Sequence, residues 1–233
     1  MCSLPSGHVI IADNLNENVK LLDQHYKVSS HCDLSSPPTD ICQITSSEVA
    51  VSHVNGGVQF ISVRNGQLVK GRKFQLPHKA EGIAHHKGTL YVTSGKALYH
   101  YALTGTLIKK LYENTEHEHA VFKCAVSLAG DRLYVINAHH KLCTLATDGS
   151  LLSTIITPFP FCVHITPAGQ VLVCGLDSHT VIQVDHEGRK ELVTLASQKD
   201  GLIKPVSICC NTSIQQIIVG LHNNNTIMVM KLQ

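Results

Sequence analysis

The run Gly130-Asp131-Arg132-Leu133-Tyr134-Val135-Ile136-Asn137 decides the fold. A small polar turn leads straight into apolar and β-branched residues, the composition of a short strand entering a core. The run recurs. His8-Val9-Ile10-Ile11-Ala12-Asp13, Val49-Ala50-Val51-Ser52-His53 and Leu90-Tyr91-Val92-Thr93-Ser94 come before it, and Val171-Leu172-Val173-Cys174-Gly175 and Ile217-Ile218-Val219-Gly220-Leu221 come after. With Val9, Val49, Leu90, Leu133, Val171 and Ile217 aligned, successive steps are 40, 41, 43, 38 and 46 residues. A period near forty with strand character is that of the blades of a β-propeller.

Working outward, each unit extends toward four strands. Third strands read Val19–Asp23, Val58–Ser62, Leu98–Ala102, Leu142–Ala146, Val181–Asp185 and Ile227–Met230. Most are followed by a glycine turn (Arg64-Asn65-Gly66, Leu103-Thr104-Gly105, Thr147-Asp148-Gly149, His186-Glu187-Gly188), where a tight hairpin needs positive φ. Fourth strands such as Leu107–Leu111 and Leu151–Ile156 come next. First strands (Thr39–Ile44, Glu81–His85, Phe122–Val126, Phe161–Ile165, Val206–Cys210) are rich in small residues and cysteine, which suits a crowded inner ring. The second strands are nearly continuous apolar runs, as burial on both faces requires.

The expectation is therefore an all-β, six-bladed propeller in a single domain, 1–233, with blades at about 1–36, 37–78, 79–118, 119–159, 160–204 and 205–233. Unit one has only Met1-Cys2-Ser3-Leu4 to serve as its first strand, and unit six reaches Gln233 after its third. The propeller is thus expected to lack one closing strand, to be drawn from residues before Met1, and the sequence reads as the C-terminal part of a longer protein.

Composition narrows the function classes. Hydrophobic residues are 43% and charged residues 15%, too apolar and too lightly charged for a disordered chain. A net charge of +2, with no basic stripe, is below that of a dedicated nucleic-acid binder. Sixteen histidines make the charge sensitive to mild acid. No segment approaches the roughly 18 apolar residues of a membrane-spanning helix, and the first residues do not read as a signal peptide. Nine cysteines, several inside strands, read as buried thiols of a reduced, cytoplasmic chain. No Cys-x-x-Cys pair, phosphate-binding glycine loop or Gly-x-Ser-x-Gly elbow is present, so no cofactor, small-molecule substrate or catalytic residue is expected.

The stretches Leu4–Asp13, Gly82–Thr93, Leu98–Gly105, Ala129–Val135 and Thr166–Val173 resemble the repeats of NHL-type propellers, in particular the C-terminal propeller of tripartite-motif (TRIM) proteins. The resemblance covers essentially the whole chain. It implies a non-catalytic partner-recognition module of a ubiquitin ligase whose RING, B-box and coiled coil lie outside these residues. It also implies a binding face formed by the second-to-third-strand turns and the inter-blade connections, used by relatives for protein or RNA.

On that face the candidate residues are His78, Lys79, Lys96, His117, His119, His139, His140, Lys141, His179, Lys204, His222 and Asn224. The cations among them suit RNA phosphates, but aromatic platforms for bases are scarce and carboxylates are interspersed, so a protein partner is favoured over RNA. Taken singly, each of these residues is better explained as loop solvation. His117 with His119, or His139 with His140, raises a third reading, a metal-dependent propeller lyase or lactonase, with Asp40, Glu81 and His164 in the zone where its ligands would gather. No three-ligand set recurs from blade to blade, and no metal is expected.

Overall fold

The computed structural model describes residues 1–115, 120–137, 140–211 and 215–231. Among the described residues, strands account for all the regular structure except a 3-10 turn at Gln198–Asp200. Blade 1 comprises β1 (Cys2–Ser3), β2 (Val9–Asp13), β3 (Asn18–Leu22) and β4 (Val28–Asp33), and blade 2 comprises β5 (Pro38–Gln43), β6 (Glu48–His53), β7 (Gly57–Arg64) and β8 (Gln67–Gln75). Blade 3 follows with β9 (Gly82–His86), β10 (Thr89–Thr93), β11 (Ala97–Ala102) and β12 (Leu107–Glu113), and blade 4 with β13 (Lys123–Val126), β14 (Arg132–Asn137), β15 (Lys141–Ala146) and β16 (Leu151–Ile156). Blade 5 holds β17 (Pro160–Ile165), β18 (Val171–Gly175), β19 (Thr180–Val184) and β20 (Glu191–Ala196), and blade 6 holds β21 (Pro205–Asn211), β22 (Gln216–Leu221) and β23 (Ile227–Lys231).

Each blade is an antiparallel sheet in chain order. The molecule is a six-bladed β-propeller, as the repeat predicts. Blade 6 has three strands, and among the described residues none pairs with the outer edge of β23. The second strands are the most deeply buried, β18 over its whole length, whereas the outer strands are largely exposed. Six apolar clusters fill the spaces between neighbouring blades. Leu133, Val135 and Leu145 of blade 4 meet Tyr91 and Leu98 of blade 3, for example. The cluster between blades 6 and 1 is the smallest, with Val9, Leu22, Cys209 and Ile218 as its buried members. Two long-range hydrogen bonds close the ring there: Tyr26 Oη donates to Gln216 Oε1 (2.5 Å), and Asn211 Nδ2 donates to the Gly7 carbonyl (3.3 Å).

The innermost strands surround the axis in a common register. Cys2, Cys42, Ala84, Ala125, His164 and Cys209 occupy equivalent positions, paired with Ile10, Ala50, Tyr91, Tyr134, Leu172 and Ile218. Small side chains fill this ring because the strands converge, and His164 is its one large polar member. Burial, followed by the nearby Met1 amino group, pushes the His164 pKa down to about 4, so the ring is neutral at neutral pH. All nine cysteines are free thiols. Burial pushes Cys2 and Cys210 up to about 12, which makes them packing residues rather than nucleophiles.

Candidate interaction face

The turns between second and third strands and the connections between blades lie on one face, around the mouth of the axial channel. A cavity of about 1650 Å3 runs from this mouth along the axis and into the seam between blades 6 and 1, where Leu22, Tyr26, Val28 and Ile227 line it. Thr39, Glu81, Phe122, Phe161 and Val206, each near the start of an innermost strand, line the cavity at its mouth.

Lys123 organises this mouth. It begins β13 on blade 4 and is 7% exposed. Its Nζ donates to the Thr39 carbonyl of blade 2 (2.5 Å) and to the Glu81 carbonyl before blade 3 (2.8 Å), and stands 3.6 Å from Asp40 Oδ2. Asp40 accepts from the backbone N–H of Ile83 (3.1 Å) and of Ile41 (2.9 Å), tying blade 2 to blade 3. The buried ammonium is thereby hydrogen-bonded and charge-compensated, as burial of a charge requires. Its Nζ is 5.2 Å from the Phe122 ring centroid, and Phe122 meets Phe161 edge-on with centroids 5.2 Å apart. Further hydrogen bonds link the blades on this face. Asn14 Nδ2 donates to the Pro38 carbonyl (2.8 Å), Thr39 Oγ1 to Ala80 and Thr93 Oγ1 to Phe122 (2.6 Å).

The candidate residues named from the sequence surround this mouth in separate groups. His78 is half-buried between blades 2 and 3, stacked on Tyr99 at 4.1 Å. Its Nδ1 hydrogen-bonds the Lys79 carbonyl and its Nε2 meets Tyr101 Oη, each at 2.6 Å. In the neutral tautomer Nδ1–H donates to the carbonyl and Nε2 accepts from the phenol, and burial lowers its pKa accordingly. Lys79 is exposed beside it, and the Lys96 carbonyl accepts the Asn114 N–H. On blade 4, His140 packs edge-on against Phe159 at 4.2 Å, and Lys141 opens β15. At the junction of blades 5 and 6 the chain brings three candidates together: His179 Nδ1 accepts the Lys204 N–H (2.9 Å), and the Lys204 carbonyl accepts the His222 N–H (2.8 Å). Asn224 Oδ1 closes its own turn by accepting from Thr226. His117, His119 and His139 lie outside the described residues. Among the described residues no group of three or more His, Cys, Asp or Glu side chains could hold a metal ion.

The sequence reading did not single out Phe122, Lys123 or Phe161. Nor did it find the exposed apolar residues of this face: Leu15 (73%), Phe159 (48%), Ile203 (54%) and Val54 (39%). On the opposite face Leu128 is the one large apolar loop residue exposed among the described residues.

No protein-family model matches the chain, and no curated protein matches its sequence. Solved structures do. A protein of unknown function from Bacteroides caccae superimposes with a TM-score of 0.72 at 14% identity, over 91% of this chain and 81% of that one. A chain in the crystal structure of a nidogen/laminin complex gives 0.75 at 15% identity, over 97% and 89%. The Cps50 (Swd1) β-propeller domain of Myceliophteria thermophila gives 0.70 at 12% identity, over 100% and 82%. At these identities the likeness is one of fold: the chain shares the β-propeller architecture of all three.

Proposed function

We propose that this chain is a non-catalytic protein-recognition module that takes its partner on the loop face around the channel mouth. The observation that carries the reading is the placement of exposed apolar loop side chains among the described residues: Leu15, Val54, Phe159 and Ile203 on that face, against Leu128 on the other. Apolar anchors ringed by polar loops are how protein interfaces are built. An RNA groove needs cations free to meet phosphates, and the one lysine at the centre of the face is already committed to two carbonyls and Asp40. The presence of this architecture in a structure named as a nidogen/laminin complex agrees with a protein partner. Following the resemblance to tripartite-motif propellers, we further propose that the captured protein is presented for ubiquitin transfer by a RING-bearing part of the same polypeptide. A reducing, cytoplasmic setting accords with nine unpaired thiols.

Affinity capture with wild type, with a Phe159→Asp, Ile203→Asp double variant and with Leu128→Asp tests the reading. A nuclease-resistant polypeptide held by wild type and by Leu128→Asp, and lost from the double variant, is expected. Retention by the double variant overturns it. Titration with single-stranded RNA at about 50 and 200 mM salt provides the second arm, and tight binding that weakens by orders of magnitude across that interval assigns the face to RNA instead.

A further inference from the structure

The residues that ring the channel mouth stand in one register. Asp40, Gly82, Lys123, Cys162 and Ser207 pair with Ser52, Thr93, Ile136, Cys174 and Gly220, the same step of each second strand. The residue before each is Thr39, Glu81, Phe122, Phe161 or Val206, one from each of blades 2 to 6, and all five line the cavity. In blades 2, 5 and 6 that residue falls in a register shift, the kind of β-bulge that re-aims a side chain. Three consecutive blades therefore bring a carboxylate and two aromatic rings to the mouth: Glu81, Phe122 and Phe161. Blades 3 and 4 meet closely here, since a Cβ on Gly82 would lie 2.9 Å from the Phe122 carbonyl oxygen. The Phe122 and Phe161 centroids are 5.2 Å apart.

Charge on this wall is left unanswered at one point. Asp40 and Lys123 compensate each other at 3.6 Å, and Asp40 also accepts from two backbone N–H groups. The Glu81 carbonyl accepts from Lys123, but among the described residues the half-buried Glu81 carboxylate has no hydrogen-bond donor and no cation. A carboxylate without a partner, beside aromatic rings, is an arrangement that receives a cation: charge-assisted hydrogen bonds and the ring quadrupoles act together. The protein already holds one cation against these rings, with Lys123 Nζ 5.2 Å from the Phe122 centroid. A guanidinium suits the site better than an ammonium, because it lies flat on a ring while its edge forks toward a carboxylate.

We infer that the channel mouth is a guanidinium site, and that its occupant is an arginine side chain of the protein partner. The source of the arginine rests on the recognition reading; the site itself does not. Leu15, Phe159 and Ile203 are exposed on the same face, so a partner seated on them carries its arginine over the channel. A cavity of about 1650 Å3 has room for the whole side chain.

NMR titration of isotope-labelled protein with N-acetyl-arginine methylamide tests the site, and the citrulline analogue supplies the same shape without the charge. Wild type is expected to show saturable shifts at Phe122 and Phe161 with a Kd on the order of 1 mM. The citrulline analogue and the Glu81→Gln variant are each expected to weaken binding about tenfold or more. Glu81→Gln keeps the size of a side chain that has no partner, so its far-UV circular dichroism and urea midpoint stay those of wild type. Phe161→Leu is expected to weaken the probe severalfold by removing one ring. No saturable shift up to about 50 mM overturns the inference, as does equal binding of the citrulline analogue or wild-type affinity in Glu81→Gln. Affinity capture then reads the source. Loss of the captured polypeptide from Glu81→Gln supports a partner arginine, and its full retention, with the probe lost, overturns that source. A wild type that binds the probe but captures no polypeptide supports the site and overturns the recognition reading.

Discussion

At the scale of single residues, Lys123 joins three blades. Its ammonium is hydrogen-bonded to backbone oxygens 84 and 42 residues away, and it balances Asp40 across the channel mouth. Removing one member of such a buried set leaves the others desolvated and unpaired. Lys123→Met, which keeps the length of the side chain, is therefore expected to lower stability by about 3 kcal/mol, measured as a shift in the urea midpoint. Nothing in Phe122-Lys123-Cys124-Ala125-Val126 announces this. A lysine at the start of a strand is ordinarily solvated, and here its partners are carbonyls, which have no side-chain identity to read. His78 shows the converse. Its type and position suggested a surface contact; what they did not show is that the tyrosines of β11 hold the half-buried ring, Tyr99 by stacking and Tyr101 through its hydroxyl.

At the scale of elements, the glycine turns between third and fourth strands do more than reverse the chain. Gly149 has φ 96°, as a tight hairpin demands, and a Cβ there would lie 1.8 Å from the Leu111 carbonyl oxygen of blade 3. The turn of one blade thus rests directly on the outer strand of the blade before it. Gly66 supplies the comparison, with φ 72° and open space where a Cβ would go. Gly149→Ala is expected to cost about 2–3 kcal/mol from strain and overpacking together, and Gly66→Ala about 1 kcal/mol from backbone strain alone. Parallel urea titrations separate the two; equal losses would mean that the turn does not bear on its neighbour. The positive φ was readable from the Asp-Gly and Asn-Gly pairs, whereas the contact with Leu111 was not, because it depends on the angle between blades.

At the scale of the whole molecule, buried and partly buried histidines make the fold acid-sensitive. Burial is the leading cause of a lowered pKa at His53, His78, His85, His100 and His164, the last to about 4. Below about pH 6.5 the unfolded chain binds protons at these sites that the folded chain refuses, so stability falls as pH falls, and for His164 it goes on falling to about pH 4. Asp148, whose carboxylate is held low by the Ser150 backbone and hydroxyl, acts only below its ordinary 3.8 and leaves the histidine window clear. Urea unfolding from pH 7.5 to 4.5 is expected to show this loss, with His164 contributing on the order of 1–3 kcal/mol. His164→Gln should flatten the slope by about one proton. An unchanged slope would place His164 in water rather than in the ring.

The amino-acid order by itself determined the fold. A hydrophobic run repeated every forty residues, with glycine turns at fixed offsets, can bury its strands only by stacking blades, and the number of runs sets the number of blades. Register is pinned by the glycine turns at fixed offsets rather than by alternation, because second strands such as β14 and β18 are apolar and buried on both faces. What surrounds the axis was decided by ring closure alone. Lys123 meets Thr39 and Glu81, Phe122 meets Phe161, and Leu15, Phe159 and Ile203 come to share a face, because the closing of the circle brings together residues from separate repeats. Those contacts depend on inter-blade angles and on backbone carbonyls, neither of which leaves a periodic mark in the chain.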